Sequence, residues 1–409
     1  MKYIIKLTIL CVFVILKAFS VPTNPTIVSG TMITDNISAN EINFNVSDKA
    51  IINWENFSID VNEIINFVQP SSQAAVLNRV TSASISEILG NLKANGKLFL
   101  INPNGVIIGE NAVVDTASFL AATLNISDTD FLSNNLRFVS PGAGSIINYG
   151  TIKTKNGDVT IFGKTIENHG DIQVDGSFNV GIGEEIFLQS GGNDNILIKT
   201  KTTDATGFTN TKLIEAIKHE IKADGNPYSY AINLDGDMKQ PKLEQPELEQ
   251  EEGRFYLSAV GGKVKISKCI KQDNINIVAH QIETDTTASI ESKPQGSIDI
   301  NSVDRMELNG ICKAIGGTIT ITNDNPQKAC FITGEIDVSA DVAGLIDINI
   351  ARLCNGASLK ADSINGVGGT IQINSDRIIE VQKALLSATS VNNDGGMIDV
   401  FAKDEETVL

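Results

Sequence analysis

The chain has 409 residues, 42% hydrophobic content and a formal net charge of −17. Apolar content at that level excludes a disordered chain, and the negative balance, with no Lys/Arg cluster to override it, excludes a nucleic-acid backbone or an anionic lipid surface as partner. Aromatics make up only 5% while Ile, Val, Asn, Gly and Thr recur, a composition of short strands and turns rather than of a helical or Rossmann-like enzyme.

Residues 1–20 predict a secretory signal peptide. Lys2 and Lys6 form a basic start, Leu7 to Leu16 an apolar run, and Ala18-Phe19-Ser20 places small residues at −3 and −1. Lys17 ends the apolar run short of a membrane span, and no later stretch approaches the roughly eighteen apolar residues that a spanning helix needs. The sequence therefore predicts no transmembrane anchor in the mature chain. Loss of the leader removes three lysines and no acid, which moves the charge from −17 to −20. Cys11 leaves with it. Cys269, Cys312, Cys330 and Cys354 remain at gaps of 43, 18 and 24 residues, without Cys-x-x-Cys or metal-ligand spacing, so no metal or cofactor is expected. Buried free thiols and one disulfide are both open.

Alternating segments begin after the leader, as in Glu41-Ile42-Asn43-Phe44-Asn45-Val46, and read as half-buried strands. Trp54, the single tryptophan, is expected to pack in the core or a cap rather than to serve as a carbohydrate platform. Further on, Gln69-Pro70-Ser71-Ser72-Gln73-Ala74-Ala75-Val76-Leu77-Asn78-Arg79-Val80 precedes a stretch from Asn91 to Gly109, in which Leu98-Phe99-Leu100-Ile101 and Val106-Ile107-Ile108 flank Asn102-Pro103-Asn104-Gly105. This is a tight turn between two apolar strands. Pro103 presets φ at the second turn position, Asn104 tolerates the left-handed region at the third, and Gly105 relieves the exit.

These motifs, in this order over about residues 26 to 190, resemble the secretion domain of filamentous haemagglutinins. The resemblance implies a right-handed parallel β-helix that directs an exoprotein through a dedicated outer-membrane barrel, the two-partner secretion route. An Asn-Pro-Asn-Leu motif that some members carry upstream is absent here, which places the chain with members keeping only the Asn-Pro-Asn-Gly turn. In the family that turn supports the domain's fold and its recognition by the transporter. Carried over by position, the secretion motif is Asn102, Pro103, Asn104 and Gly105, with Asn78 and Arg79 as further candidates.

Repeats become visible at Asn148-Tyr149-Gly150-Thr151-Ile152, echoed twenty residues later by Asn168-His169-Gly170-Asp171-Ile172. A period near twenty signals a solenoid whose coils satisfy one another's strand edges. Residues 200–254 interrupt the pattern. Their first half predicts a helix capped at Asn210 or Thr211, with Leu213, Ile214, Ile217 and Ile221 on one face and Asp224-Gly225 as its stop. The second half, Lys239 to Glu252, predicts an exposed acidic loop. From residue 255 the solenoid resumes, with a strand of the type Gly-x-Ile-x-Ile starting near Gly296, Gly317, Gly344, Gly369 and Gly396 at spacings of 21, 27, 25 and 27. The expected organisation is thus a leader (1–20), a secretion β-helix (21–199), an insertion (200–254) and continuing repeats (255–409), all-β apart from the short insertion helix.

Parallel β-helices also serve as polysaccharide lyases and hydrolases, with carboxylates and basic residues gathered on one outward face. Asp299, Asp347 and Asp399 take equivalent outward places on the repeated strand, but Thr320 and Gln372 fall between them and break the ladder. His169, His219 and His280 are dispersed over a corner, the expected helix and an alternating segment, and read as surface or corner residues. No enzyme is expected. The expected product is a secreted or cell-surface exoprotein of the adhesin/haemagglutinin type, with an outer-membrane barrel transporter as partner and a host-cell or glycan receptor as a further one. The alternatives are a non-adhesive structural β-helix and a polysaccharide lyase or hydrolase.

Overall fold

The computed structural model describes residues 21–140, 142–189, 196–200, 207–223, 230–241, 252–323, 325–380 and 384–403. They form a parallel β-solenoid of about fourteen turns, each coil contributing one strand to each of three faces. Early coils show the plan. Ala50–Trp54 pairs in parallel with Ala75–Val80 on the first face, Ser86–Ile88 with Val106–Ile108 on the second, and Glu41–Val46 with Ile64–Val68 on the third. Asn91–Ile101 serves two faces, pairing through residues 91–94 with one neighbour and through 97–101 with another. It bends at Asn95-Gly96, where Gln69 and Asn95 exchange hydrogen bonds, Gln69 N to Asn95 Oδ1 at 2.6 Å and Asn95 Nδ2 to the Gln69 carbonyl at 2.8 Å.

Two antiparallel strands close the N-terminal end. Thr26–Ser29 covers the free edge of Ala50–Trp54, and Met32–Ser38 that of Glu41–Val46. Beneath them Trp54 is fully buried, its ring 5.3 Å from that of Phe44 and its Nε1 donating to Asn78 Oδ1 at 3.0 Å.

Inside the solenoid, identical positions of successive coils stack. Ile298, Ile319, Ile346, Ile371 and Ile398 follow one another in register, as do Ile300, Ile321, Ile348, Ile373 and Val400. The first four of each column are buried, and each such side chain contributes roughly 1.5–3 kcal/mol. At one corner the column is polar: Asn148 donates to Asn168 (2.7 Å) and Asn168 to Asn210 (2.8 Å), all three buried. Each amide satisfies the next, so the ladder is polar without leaving these groups unpaired.

Where the sequence predicts a helix between a cap at Asn210 or Thr211 and a stop at Asp224-Gly225, the chain forms a strand, Ile214–Ala223. It pairs with Asp171–Ile182 on one side and Arg254–Ile266 on the other. Its inward residues are Ile214, Ala216, His219, Ile221 and Ala223. The alternation skips at Ile217-Lys218, where the strand rounds a corner with a register shift, and that skip imitates helical spacing. Two neighbouring strand edges then override local propensity. Among the described residues the helix is Asp128–Leu132, capped by Ser127 Oγ, which accepts from Asp130 N at 3.0 Å. Asp224 and Gly225 lie outside the described residues, as do 242–251 of the expected acidic loop.

A second layer covers part of the first face. The chain leaves the solenoid after Val113–Ala122 and again after Asp171–Ile182, both times at the corner from first to second face. Asn125–Ile126, Arg137–Val139, Glu185–Leu188 and Ile196–Thr200 join there in a four-stranded antiparallel sheet. Its residues Ile126, Phe138, Ile186 and Ile196, with Phe131 of the helix, pack on outward Ile51, Leu77, Phe99, Leu120 and Phe162 of the coils. The covered strands are apolar on both sides, as in the run Leu98–Ile101. At the sheet's margin, buried Glu220 accepts from Ile196 N (2.9 Å), and Lys222 donates to the Ile196 carbonyl (2.6 Å) and pairs with Glu220 (2.8 Å).

Among the described residues the four cysteines are free thiols, Cys312, Cys330 and Cys354 buried and Cys269 half-buried. Cys330 lies opposite Leu353 and Phe331 opposite Cys354, so the sulfurs of Cys330 and Cys354 point to opposite sides of the sheet and cannot join.

His219 is fully buried rather than at a surface or corner. Its ring stands 6.2 Å from Phe178 and 5.7 Å from Phe255, with Gln272 Nε2 2.8 Å from its Nδ1. Burial pushes the imidazole down to about 3, against a smaller opposing hydrogen bond at Ile214. The unfolded chain titrates near 6.5. Stability is therefore complete above that pH and falls below it, by up to about 1.4 kcal/mol per pH unit, until the pH nears 3. Urea unfolding at pH 7, 6 and 5 should show this loss in the native chain and a smaller one in His219→Leu; identical pH profiles would assign the loss to other groups.

Candidate functional site

The turn at Asn102–Gly105 occupies the corner from first to second face, one coil before the first excursion into the cover sheet. Gly105 N–H closes it by donating to the Asn102 carbonyl at 3.0 Å. The left-handed position is Gly105, at φ +117, and not Asn104 as the sequence suggests. Asn104 is held otherwise: Asn102 Oδ1 accepts from its backbone N at 3.0 Å, and its own Nδ2 donates to the Ser82 carbonyl at 2.8 Å. These bonds favour a compact local turn in which the strained torsion passes to the residue without a Cβ.

Three corners stack here. In the coil below, Asn102 Nδ2 donates to the Ser84 carbonyl (3.0 Å) and to Ser86 Oγ (2.9 Å), and the Gly105 carbonyl accepts from Ser86 N (3.1 Å). In the coil above, the Pro103 carbonyl accepts from Gly144 N (3.1 Å) and Val106 N donates to the Ser145 carbonyl (3.0 Å). The returning end of the first excursion thus lies on the turn at glycine distance. A Cβ on Gly142 would come 1.8 Å from the Pro103 carbonyl oxygen, and one on Gly144 2.1 Å from the Asn104 carbonyl carbon. Asn102 and Gly105 are buried, while Pro103 and Asn104 are half-buried. The motif is a joint between coils, with two side chains reaching the surface.

Asn78 and Arg79 sit on the preceding coil and point opposite ways. Asn78 faces inward, accepting from Trp54 and donating to the Phe99 carbonyl at 3.4 Å. Arg79 faces the second layer. Its guanidinium donates to Asn53 Oδ1 (3.1 Å), Asn125 Oδ1 (3.0 Å), the Ile126 carbonyl (2.7 Å) and Asp128 Oδ1 (2.9 Å). One planar fork ties a coil strand, a cover strand and the first turn of the helix together. Of the six residues singled out in the sequence, Asn102 to Gly105 form a corner stack, Arg79 a clamp, and Asn78 an internal anchor for Trp54. The sequence reading missed Gly142, Gly144 and the serines below the turn; the runs Leu98–Ile101 and Phe119–Ala122 are the signal that the first face is covered.

The outward carboxylates and the histidines form no catalytic grouping among the described residues. Asp299, Thr320, Asp347, Gln372 and Asp399 stand in register, so the carboxylates are two rungs, about 10 Å, apart. His169 lies at a corner between Glu167 (3.0 Å) and Thr211 (2.9 Å), stacked on Tyr149, and His280 is 3.9 Å from Asp304. Among the described residues no group of three His, Cys, Asp or Glu side chains is placed to hold a metal ion, and no helix is long and apolar enough to cross a membrane.

A parallel solenoid with this capped N-terminal end and side sheet is the architecture of a two-partner secretion exoprotein, a class exported across the outer membrane. The TPS secretion domain family model matches residues 20–247, more than half of the chain, and the chain belongs to that family. A heme/hemopexin-binding protein of Haemophilus influenzae is 37% identical over 118 residues, 29% of this chain and 13% of the relative. The protein of the same description from strain ATCC 51907 / DSM 11121 / KW20 / Rd is 35% identical over 154 residues, 35% of this chain and 16% of the relative. The chain thus spans only a small part of these relatives' length. The crystal structure of the HMW1 secretion domain from Haemophilus influenzae superposes with a TM-score of 0.61 at 23% identity, over 93% of this chain and all of that one, a likeness of fold.

The clamp makes a direct prediction. Arg79→Ala should destabilise the native state by about 2 kcal/mol and speed amide exchange in 125–139 and 185–188 while the inward coil strands stay protected. Arg79→Lys should recover only part, since a point charge cannot reproduce the fork. Unchanged exchange in the cover sheet would mean that apolar packing alone holds it.

Proposed function

We propose that the chain is a secreted exoprotein of the adhesin/haemagglutinin type, carried through a cognate outer-membrane barrel that recognises the Asn102–Gly105 region, and displayed at or released from the cell surface. Residues 1–20, outside the described structure, would direct the first export step as a signal peptide. The observation that carries this reading is the connectivity: each coil pairs in parallel with its neighbours in chain order, and among the described residues antiparallel strands close the stack at its N-terminal end. A chain emerging N-terminus first can cap itself and add coils outside, so that folding opposes backsliding. Burial of Asn102 and Gly105 supports recognition of the stretch before the coil above closes over it. The heme and hemopexin ligands named for the relatives are not carried over, because the similarity covers 13% and 16% of those proteins.

Secretion with the cognate barrel tests the assignment. Gly105→Val places a β-branched residue at φ +117 with its Cβ 2.7 Å from the Ser145 carbonyl oxygen, a local strain of about 1–3 kcal/mol or more. Secretion should fall severalfold, with signal-peptide cleavage and periplasmic arrival normal. Gly396→Val, whose Cβ would meet the Gly369 carbonyl oxygen at 1.9 Å in a late coil, is the matched control and should be secreted. Equal loss in both, or in neither, would remove the special role of the turn.

A further inference from the structure

On the second face, beyond most of the residues matched by the secretion-domain family, polar groups of four successive coils converge. Tyr230, Lys263, Gln281 and Arg305 stand in one column, and Glu283 and Glu307 pair in the next. Tyr230 is 42% exposed and reaches along the ladder, its Oη donating to Glu283 Oε2 at 2.8 Å. Burial, then that carboxylate, push the phenol up to about 12, so it remains a proton donor throughout the neutral range. Arg305 is ion-paired with Glu307, while Lys263 has no ion pair among the described residues. These six side chains line a shallow open cavity of about 120 Å³, smaller than an enclosed small-molecule pocket and open along the strand stack.

The chemistry selects among ligands. Two cations and two carboxylates cancel, so a polyanion gains nothing here. A column of donors, Lys263 and Arg305, stands beside a column of acceptors, Glu283 and Glu307, with successive coils about 4.8 Å apart, a step comparable to one sugar ring, and Tyr230 offers an aromatic plate that suits the apolar face of such a ring. We propose that this cavity is a binding site for an uncharged glycan segment lying along the solenoid axis, with Tyr230 as platform, Glu283 and Gln281 accepting from hydroxyls, and Lys263 donating to them. The proposal deepens the adhesive reading and rests on it for its biological use, whereas its test needs only the purified chain.

Saturation-transfer NMR and calorimetric titration with cellotetraose, lactose and diacetylchitobiose, and with a heparin tetrasaccharide as anionic comparison, make that test. At least one uncharged probe should bind. Tyr230→Ala and Glu283→Gln should weaken it about tenfold, and Tyr149→Ala, an exposed aromatic on another corner, should leave it unchanged. Glu283→Gln keeps the side-chain shape and decides the matter should Tyr230→Ala fold poorly. The proposal is overturned by no binding of any uncharged probe, by binding that Glu283→Gln retains in full, or by binding of the heparin fragment alone. None of these results bears on export, which the secretion assay reads separately.

Discussion

Every other feature depends on the hydrogen-bond ladder that joins each coil to the next. In a parallel stack the strand N–H and C=O groups point along the solenoid axis, and only a neighbouring coil in correct register satisfies them. That constraint fixes which residues can vary. A strand has little freedom, because displacement by one residue would turn Ile298, Ile319 and their successors outward. A corner has much more, and both excursions that build the second layer depart from the same one.

Corners nevertheless interrupt the ladder, and side-chain amides replace it there. The Asn148–Asn168–Asn210 column does so where corners are short and regular. The Asn102–Gly105 turn does so where the coil above makes a long excursion and must return to the same height. Asn102 supplies both polarities, accepting within the turn and donating to the coil below, while glycines above let the returning backbone settle on Pro103 and Asn104. The motif's composition follows from that position. A polar anchor, a fixed φ and a residue lacking Cβ are what a buried junction between unequal coils requires.

Much of this was legible in the sequence, for identifiable reasons. Periodic Asn/Gly corners and Gly-x-Ile-x-Ile strands expose the solenoid because each coil repeats the same burial problem. The motif residues were recognisable as a set, yet Arg79's partners were not, since Asn125 and Asp128 lie in short strand and helix segments with no period of their own. The cover sheet was hidden for the same reason: two of its strands come from each excursion, and none exceeds five residues. The misread helix shows the opposite failure. Ile214, Ile217 and Ile221 have helical spacing only because the strand skips a residue at a corner, and a buried histidine in the same strand passed as a polar surface residue. Periodicity within one segment cannot register a bend whose cause is the coil on either side.

The contacts of Glu220 and Lys222 on Ile196 have a consequence at the scale of many molecules. The edge of a short outer strand is a template for any extended chain nearby. Here one carboxylate and one ammonium occupy the amide and carbonyl of the first residue of that strand. A neighbouring polypeptide would have to displace a paired charge before it could align. The second layer is thus added to the solenoid with the first residue of this strand already engaged by a paired charge of the chain itself.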